Sequence, residues 1–67
     1  MPNWRKKRES LGLSQRDVEL ESGLAANTIR RIESNAPGIL PHTLARYIRA
    51  MAALSALEEE AIRQESL

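Results

Sequence analysis

The feature that most constrains this 67-residue chain is the stretch over residues 14–33, SQRDVELESGLAANTIRRIE. Ser14 is followed three residues later by Asp17. In that spacing the hydroxyl accepts a backbone amide of the first turn while the carboxylate reaches back to the amide of the cap. A short helix therefore starts here, with Val18 its main apolar contact. Ser22-Gly23-Leu24 ends it in a tight turn, because glycine takes the left-handed conformation at no steric cost. A second helix follows, with Ile29 and Ile32 on one face and Asn27, Arg30 and Arg31 largely off it.

Two short helices joined by a glycine turn of three or four residues make a helix-turn-helix unit. On Gly12-Leu13-Ser14-Gln15, Ser22-Gly23-Leu24 and Asn27-Thr28-Ile29-Arg30-Arg31-Ile32-Glu33, the segment resembles a known family. That family comprises the lambdoid phage repressors, the Cro proteins and the Xre-like bacterial regulators. Arg8 stands four residues before Gly12, as the family's first-helix arginine does. Pro41, Thr43-Leu44, Arg46 and Tyr47-Ile48 resemble its fourth helix. The resemblance spans roughly residues 3–54.

Length bounds the rest. A chain of 67 residues is a single domain that buries only about 60% of its unfolded surface, so its stability margin is narrow. The absence of cysteine removes disulfides and thiolate metal sites and fits a reducing interior. With no long apolar run and no signal-peptide pattern, a soluble intracellular protein is expected, and the resemblance implies the bacterial cytoplasm or nucleoid. The net charge of +1 hides an asymmetry: residues 1–54 hold nine Lys/Arg against five Asp/Glu, and residues 55–67 one Arg against four Glu.

In chain order, Asn3 is placed to cap a helix over residues 4–11, with Trp4, Leu11 and the stem of Lys7 toward the core. Arg5-Lys6-Lys7-Arg8 then crowds cations where a helix dipole prefers anions, which suits a phosphate-facing end. Ser34-Asn35-Ala36-Pro37-Gly38 is dense in turn formers and reads as a loop. Pro41 suits the first turn of the next helix, in which Leu44, Tyr47, Ile48 and Met51 recur at helical spacing. Ser55 with Glu58 repeats the capping pattern and predicts a last helix carrying Leu57, Ala61 and Ile62. The expected fold is all-α, compact, five-helix and lambda-repressor-like: a helix-turn-helix domain of four helices over residues 1–54, and an acidic fifth helix over 55–67 as a possible dimer contact.

The resemblance implies an Arg8–Glu33 pair tying the first helix to the end of the second helix of the unit. It also implies departures: Lys7 stands for an apolar residue, Glu19 for a small one at a close helix contact, and Ala25 for a Ser or Thr cap. Catalysis lacks support, since there is one histidine, no cysteine and no glycine-rich phosphate loop; no cofactor, metal or small-molecule ligand is expected.

DNA recognition has specific support, because the N-terminal part of a recognition helix reaches base edges in the major groove, where asparagine reads adenine and arginine reads guanine. Ala26, Asn27, Thr28, Arg30 and Arg31 are the expected base contacts. Arg5, Lys6 and Arg16 are expected phosphate contacts, and the resemblance implies the same role for Gln15 at its helix N-terminus and for Ser34, Asn35 and His42 at a second backbone contact. Met51, Leu54, Leu57, Ala61 and Ile62 are the expected contact of a homodimer on two-fold operator DNA. The expected function is that of a sequence-specific transcriptional repressor, with two alternatives: the DNA-binding antitoxin of a toxin–antitoxin pair, or a protein-interaction module that has lost DNA binding.

Overall fold

Asn3 sets where the first helix starts. In the computed structural model, which describes residues 2–65, its side chain accepts the Lys6 amide at 3.0 Å and opens α1 (Trp4–Ser10). Only seven residues long, α1 ends before its cations all crowd one terminus: Lys7 and Arg8 fall in its last turn, where positive charge suits the dipole. Ser14 and Asp17 form the reciprocal capping box, at 3.0 and 2.9 Å, that starts α2 (Gln15–Ser22). These bonds also hold the Asp17 carboxyl below its usual range.

Gly23 ends α2 with φ of 73°. A side chain there would be strained by that left-handed backbone and would press on Arg46 Nη2, which lies 3.0 Å from where a Cβ would stand. The same guanidinium donates to the Ser22 carbonyl at 2.9 Å, so α4 clasps the turn. Next comes α3 (Ala26–Glu33), whose cap residue Ala25 supplies no side-chain bond. It ends in a Schellman arrangement: Asn35, at φ 58°, sends its amide to Ile32, and the Ala36 amide reaches Arg31. Pro41 then opens α4 (Pro41–Glu65), a single helix of 25 residues.

That length corrects the five-helix expectation: the described residues hold four helices and no strand. Ser55 is not a cap but an interior residue of α4. The pattern misleads because a capping box requires the chain to enter the helix at the serine. Around Ser55 run Ala, Met, Leu and Glu, the strongest helix formers, with no glycine or proline to stop them. One interior serine costs about 0.5 kcal/mol, too little to break such a run. Residues 66 and 67 of the expected tail lie outside the described residues.

The core is built of Leu13, Val18, Ile29, Ile32, Tyr47, Ala50 and Met51, with Trp4, Leu11, Leu24, Ile39, Leu44 and Leu54 packed around it. Trp4 meets Tyr47 edge-on, ring centroids 6.2 Å apart. Ile48, which shares the helical spacing of Leu44, Tyr47 and Met51, does not join them in the core but lies on the rim of α4, exposed. Lys7 is likewise exposed, its place over Leu11 and Trp4 marking one wall of a groove beside α4. Leu54 is the last apolar residue of α4 packed on the core, while Ser55, Ala56 and Glu59 still border α1. From there α4 continues to Glu65, and the molecule extends 46 Å along its long axis against 21 and 18 Å across. No helix of the described residues is long and apolar enough to cross a membrane.

Candidate nucleic-acid interface

The unit α2–turn–α3 presents α3 outward because Ile29 and Ile32 are pulled into the core, at 0% and 3% exposure. At about 100° per residue, Asn27 then points opposite the core, with Arg30 and Arg31 on either side of it. All three are exposed, while Ala26 and Thr28 at the edges are half-buried. The two central helices tolerate Glu19 at their contact because its side chain lies toward the surface, 23% exposed and 3.8 Å from Arg16.

One buried cluster holds α3 in this orientation. Arg8 Nε donates to Glu33 Oε2 at 2.7 Å and its Nη2 to Oε1 at 3.1 Å, a bidentate fork. The remaining amino group of Arg8 donates to the Leu13 carbonyl at 2.8 Å, which ties in the chain before α2. Two further donors complete the Glu33 carboxylate: the Tyr47 hydroxyl at 2.7 Å and Gln15 Nε2 at 3.1 Å. A single carboxylate on α3 thus gathers α1, α2 and α4. Burial opposes its charge, but the bonds from Arg8, Tyr47 and Gln15 outweigh burial and hold it below the usual carboxylate range. Burial and the bond to Glu33 push the Tyr47 hydroxyl upward, and the bond to Glu33 raises Arg8.

Over this cluster opens a polar cleft of about 420 Å3 lined by Arg5, Arg8, Gln15, Arg30, Glu33 and Ser34. Three of the expected phosphate contacts, Arg5, Gln15 and Ser34, meet here with Arg30 from the expected base-reading set. Gln15 is half-buried with its amide turned to Glu33. Ser34 spends its hydroxyl on the Arg31 carbonyl at 3.1 Å. Arg31 itself donates to the Pro37 carbonyl at 3.2 Å, an exposed bond that steadies the loop after α3.

The other expected contacts lie elsewhere. Lys6 is exposed on α1 beside Asn3 and Ser10. Arg16 is exposed and paired with Glu19, and His42 is exposed in the first turn of α4. Asn35 lines a separate pocket with Ala36, Pro37, Gly38 and Ile39.

These are the parts of a helix-turn-helix with its second helix turned outward and its back pinned. A family model described as a helix-turn-helix domain matches residues 4–62. The chain belongs to the helix-turn-helix domain family. Membership gives the α2–α3 unit its meaning: DNA is the indicated partner and transcriptional regulation the indicated role. Searches of curated proteins and of solved structures found no match.

The helix-turn-helix domain also contains the expected dimer strip, and the structure divides it. Met51 is 3% exposed and belongs to the core, so it is removed from that surface. The reason is helical phase: in one unbroken α4, Met51 follows Tyr47 by one turn and shares its inward face. Leu54 is half-buried against the core, whereas Leu57, Ala61 and Ile62, farther along α4, are exposed. Sequence reasoning missed Tyr47 as a polar partner and Gln15 as an inward one. The signal for Tyr47 was present: a tyrosine in an apolar stripe needs an acceptor for its hydroxyl.

Proposed function

We propose that this helix-turn-helix protein is a sequence-specific transcriptional regulator of the repressor, Cro or Xre kind, acting in a bacterial cytoplasm by occupying operator DNA. The observation that carries the reading is the outward face of α3. It sets Asn27 between Arg30 and Arg31 on a rigid helix whose buried face is core and whose last residue, Glu33, is tied to three other elements. Asparagine and arginine are the side chains that read adenine and guanine through paired bonds in the major groove. Rigid backing matters because base reading tolerates little displacement.

In this reading α3 lies in the major groove with Asn27 and Arg31 on base edges; Arg31 exchanges its exposed bond to Pro37 for one to DNA. Ala26 and Thr28 give methyl contacts at the groove wall. Arg5 and Arg30 flank a backbone phosphate at the polar cleft, where Gln15 opens α2 and leaves unpaired amides of its first turn. Lys6, Arg16, Ser34, Asn35 and His42 serve the neighbouring backbone. Repression follows from occupancy alone, as a binding protein and not an enzyme, and two copies share an inverted-repeat site.

Alanine substitution separates the roles. Asn27→Ala or Arg31→Ala is expected to cost about 1–3 kcal/mol on the cognate site and to relax preference at one base position. Lys6→Ala weakens all sequences nearly equally, because phosphates carry no sequence information. An Arg31→Ala variant that lost the same factor on cognate and random duplexes would remove Arg31 from the base-reading set.

A further inference from the structure

We infer that two copies of this chain pair antiparallel through one face of α4, each seating its Leu57 in the groove between α2 and α4 of the other. This names the contact behind the two-copy binding proposed above and rests on that reading. At about 100° per residue, Arg49, Ala53, Leu57 and Glu60 form one stripe, at the spacing of three and four residues that a helix presents to a partner helix. The stripe runs from the basic body onto the acidic projecting half of α4. Leu57 on it is 63% exposed.

On the same side of the body lies a groove of about 300 Å3, lined by Glu21, Ser22, Arg46, Arg49, Ala50 and Ala53. Its α4 wall is Arg46, Arg49, Ala50 and Ala53; the two alanines leave room for a leucine between the arginines and let a second helix approach closely. An antiparallel two-fold axis near Ser55 brings Leu57 of each copy opposite Ala53 of the other. The same axis brings each Glu60 opposite an Arg49, so both ends of the contact are alike. A parallel pairing instead sets Glu60 against Glu60 and Arg49 against Arg49.

The charges favour this occupant. Among the described residues Arg49 has no ion-pair partner. Glu60 pairs with Arg63 at 3.1 Å, one turn on in the same helix, with both side chains more than half exposed; such a pair is readily exchanged. Glu21 on the groove rim opposes an incoming Glu60, but Arg46 and Arg49 outnumber it. A second copy is singled out because this chain carries both the groove and the residue that fills it, on one face and in complementary order. The face is short, four residues of α4 in each copy, and belongs at the low end of specific interfaces. The dimer is therefore weak in solution and is completed by DNA.

Sedimentation equilibrium of the full chain from micromolar to millimolar concentration tests the pairing, with circular dichroism confirming that each variant is folded. The wild type is expected to dimerise reversibly and Leu57→Glu to weaken the dimer more than about tenfold. Arg49→Glu and Glu60→Arg each weaken it by roughly three- to tenfold, since each removes two symmetric pairs. The combined Arg49→Glu/Glu60→Arg chain recovers wild-type association, because both pairs return with reversed sign. A wild type that stays monomeric overturns the pairing, as does Leu57→Glu dimerising normally or a double variant no better than the singles. Wild-type binding to a short random-sequence duplex is measured alongside. A chain that dimerises yet ignores duplex contradicts the DNA reading and leaves the pairing standing; one that binds duplex and stays monomeric does the reverse.

Discussion

Replacing Glu33 by alanine should come close to unfolding the protein. The Glu33 side chain is 4% exposed and receives four hydrogen bonds between 2.7 and 3.1 Å from Arg8, Tyr47 and Gln15. Its removal leaves the Arg8 guanidinium, 9% exposed, with the Leu13 carbonyl as its remaining close partner. Breaking a buried pair from one side costs about 3–5 kcal/mol, because the surviving charge stays desolvated. At about 0.05–0.15 kcal/mol per residue, the whole stability of a chain this size is about 3–10 kcal/mol.

Urea unfolding followed by helical circular dichroism reads the loss directly. Arg8→Met should cost less than Glu33→Ala, since the abandoned carboxylate keeps Tyr47 and Gln15 as donors. The Arg8→Met/Glu33→Leu pair should regain about 1–3 kcal/mol relative to the sum of the singles.

The pH dependence has a fixed sign. The folded carboxyl of Glu33 lies below its unfolded range, so its contribution is complete above about pH 4.3 and is lost as pH falls through the folded value. The Tyr47 hydroxyl is shifted upward, so its contribution is complete below about pH 10 and is lost in alkali. Single variants within about 1 kcal/mol of wild type, with an unchanged acid limb for Glu33→Gln, would refute the claim that this cluster holds α3 in place.

Three further outcomes follow from the helix ends and the charge. Ser14→Ala should cost about 0.5–2 kcal/mol in thermal or urea unfolding, whereas Ser55→Ala should be neutral or stabilising by about 0.5 kcal/mol; a matching loss at Ser55 would mean that α4 is broken there. Ala25→Ser should add about 0.5–2 kcal/mol by giving α3 the side-chain cap it lacks. Affinity for duplex DNA should fall with a slope of about −0.9 per neutralised phosphate in log affinity against log salt. With Arg5, Lys6, Arg16 and Arg30 engaged in each of two copies, the slope should be about −7, and a flat response would favour a protein-interaction role.

Much of the fold was legible where chemistry is local. Asn3, the Ser14–Asp17 box and Gly23 act within a turn of themselves, so spacing alone locates the ends of α1 and α2. The partnership of Arg8 with Glu33, 25 residues apart, came from family resemblance and not from spacing. Tyr47 and Gln15 joined that cluster unseen, because donors from α4 and α2 meet one carboxylate only after the helices pack.

Two misplacements fall in α4. Reading Ser55 as a start cut one long helix in two. Met51 was counted both in the helical phase of Leu44 and Tyr47 and in the dimer strip; the fold keeps it in the first, buried, and turns Ile48 to the rim. The candidate interface was legible as a list of side chains but not as a surface. Only the fold sets Arg5, Gln15, Arg30 and Ser34 around one cleft and sends Asn35 to another.

The most direct measurement of the central claim is selection of bound duplexes from a random pool by the wild-type chain, repeated with Asn27→Ala. Recognition by α3 predicts an enriched inverted repeat with half-site centres about one helical turn, roughly 34–36 Å, apart. In the Asn27→Ala selection the preference at one symmetric pair of positions should be lost while the rest of the repeat is kept. Enrichment of no sequence, or an identical motif from wild type and Asn27→Ala, would contradict the claim that the outward face of α3 reads DNA.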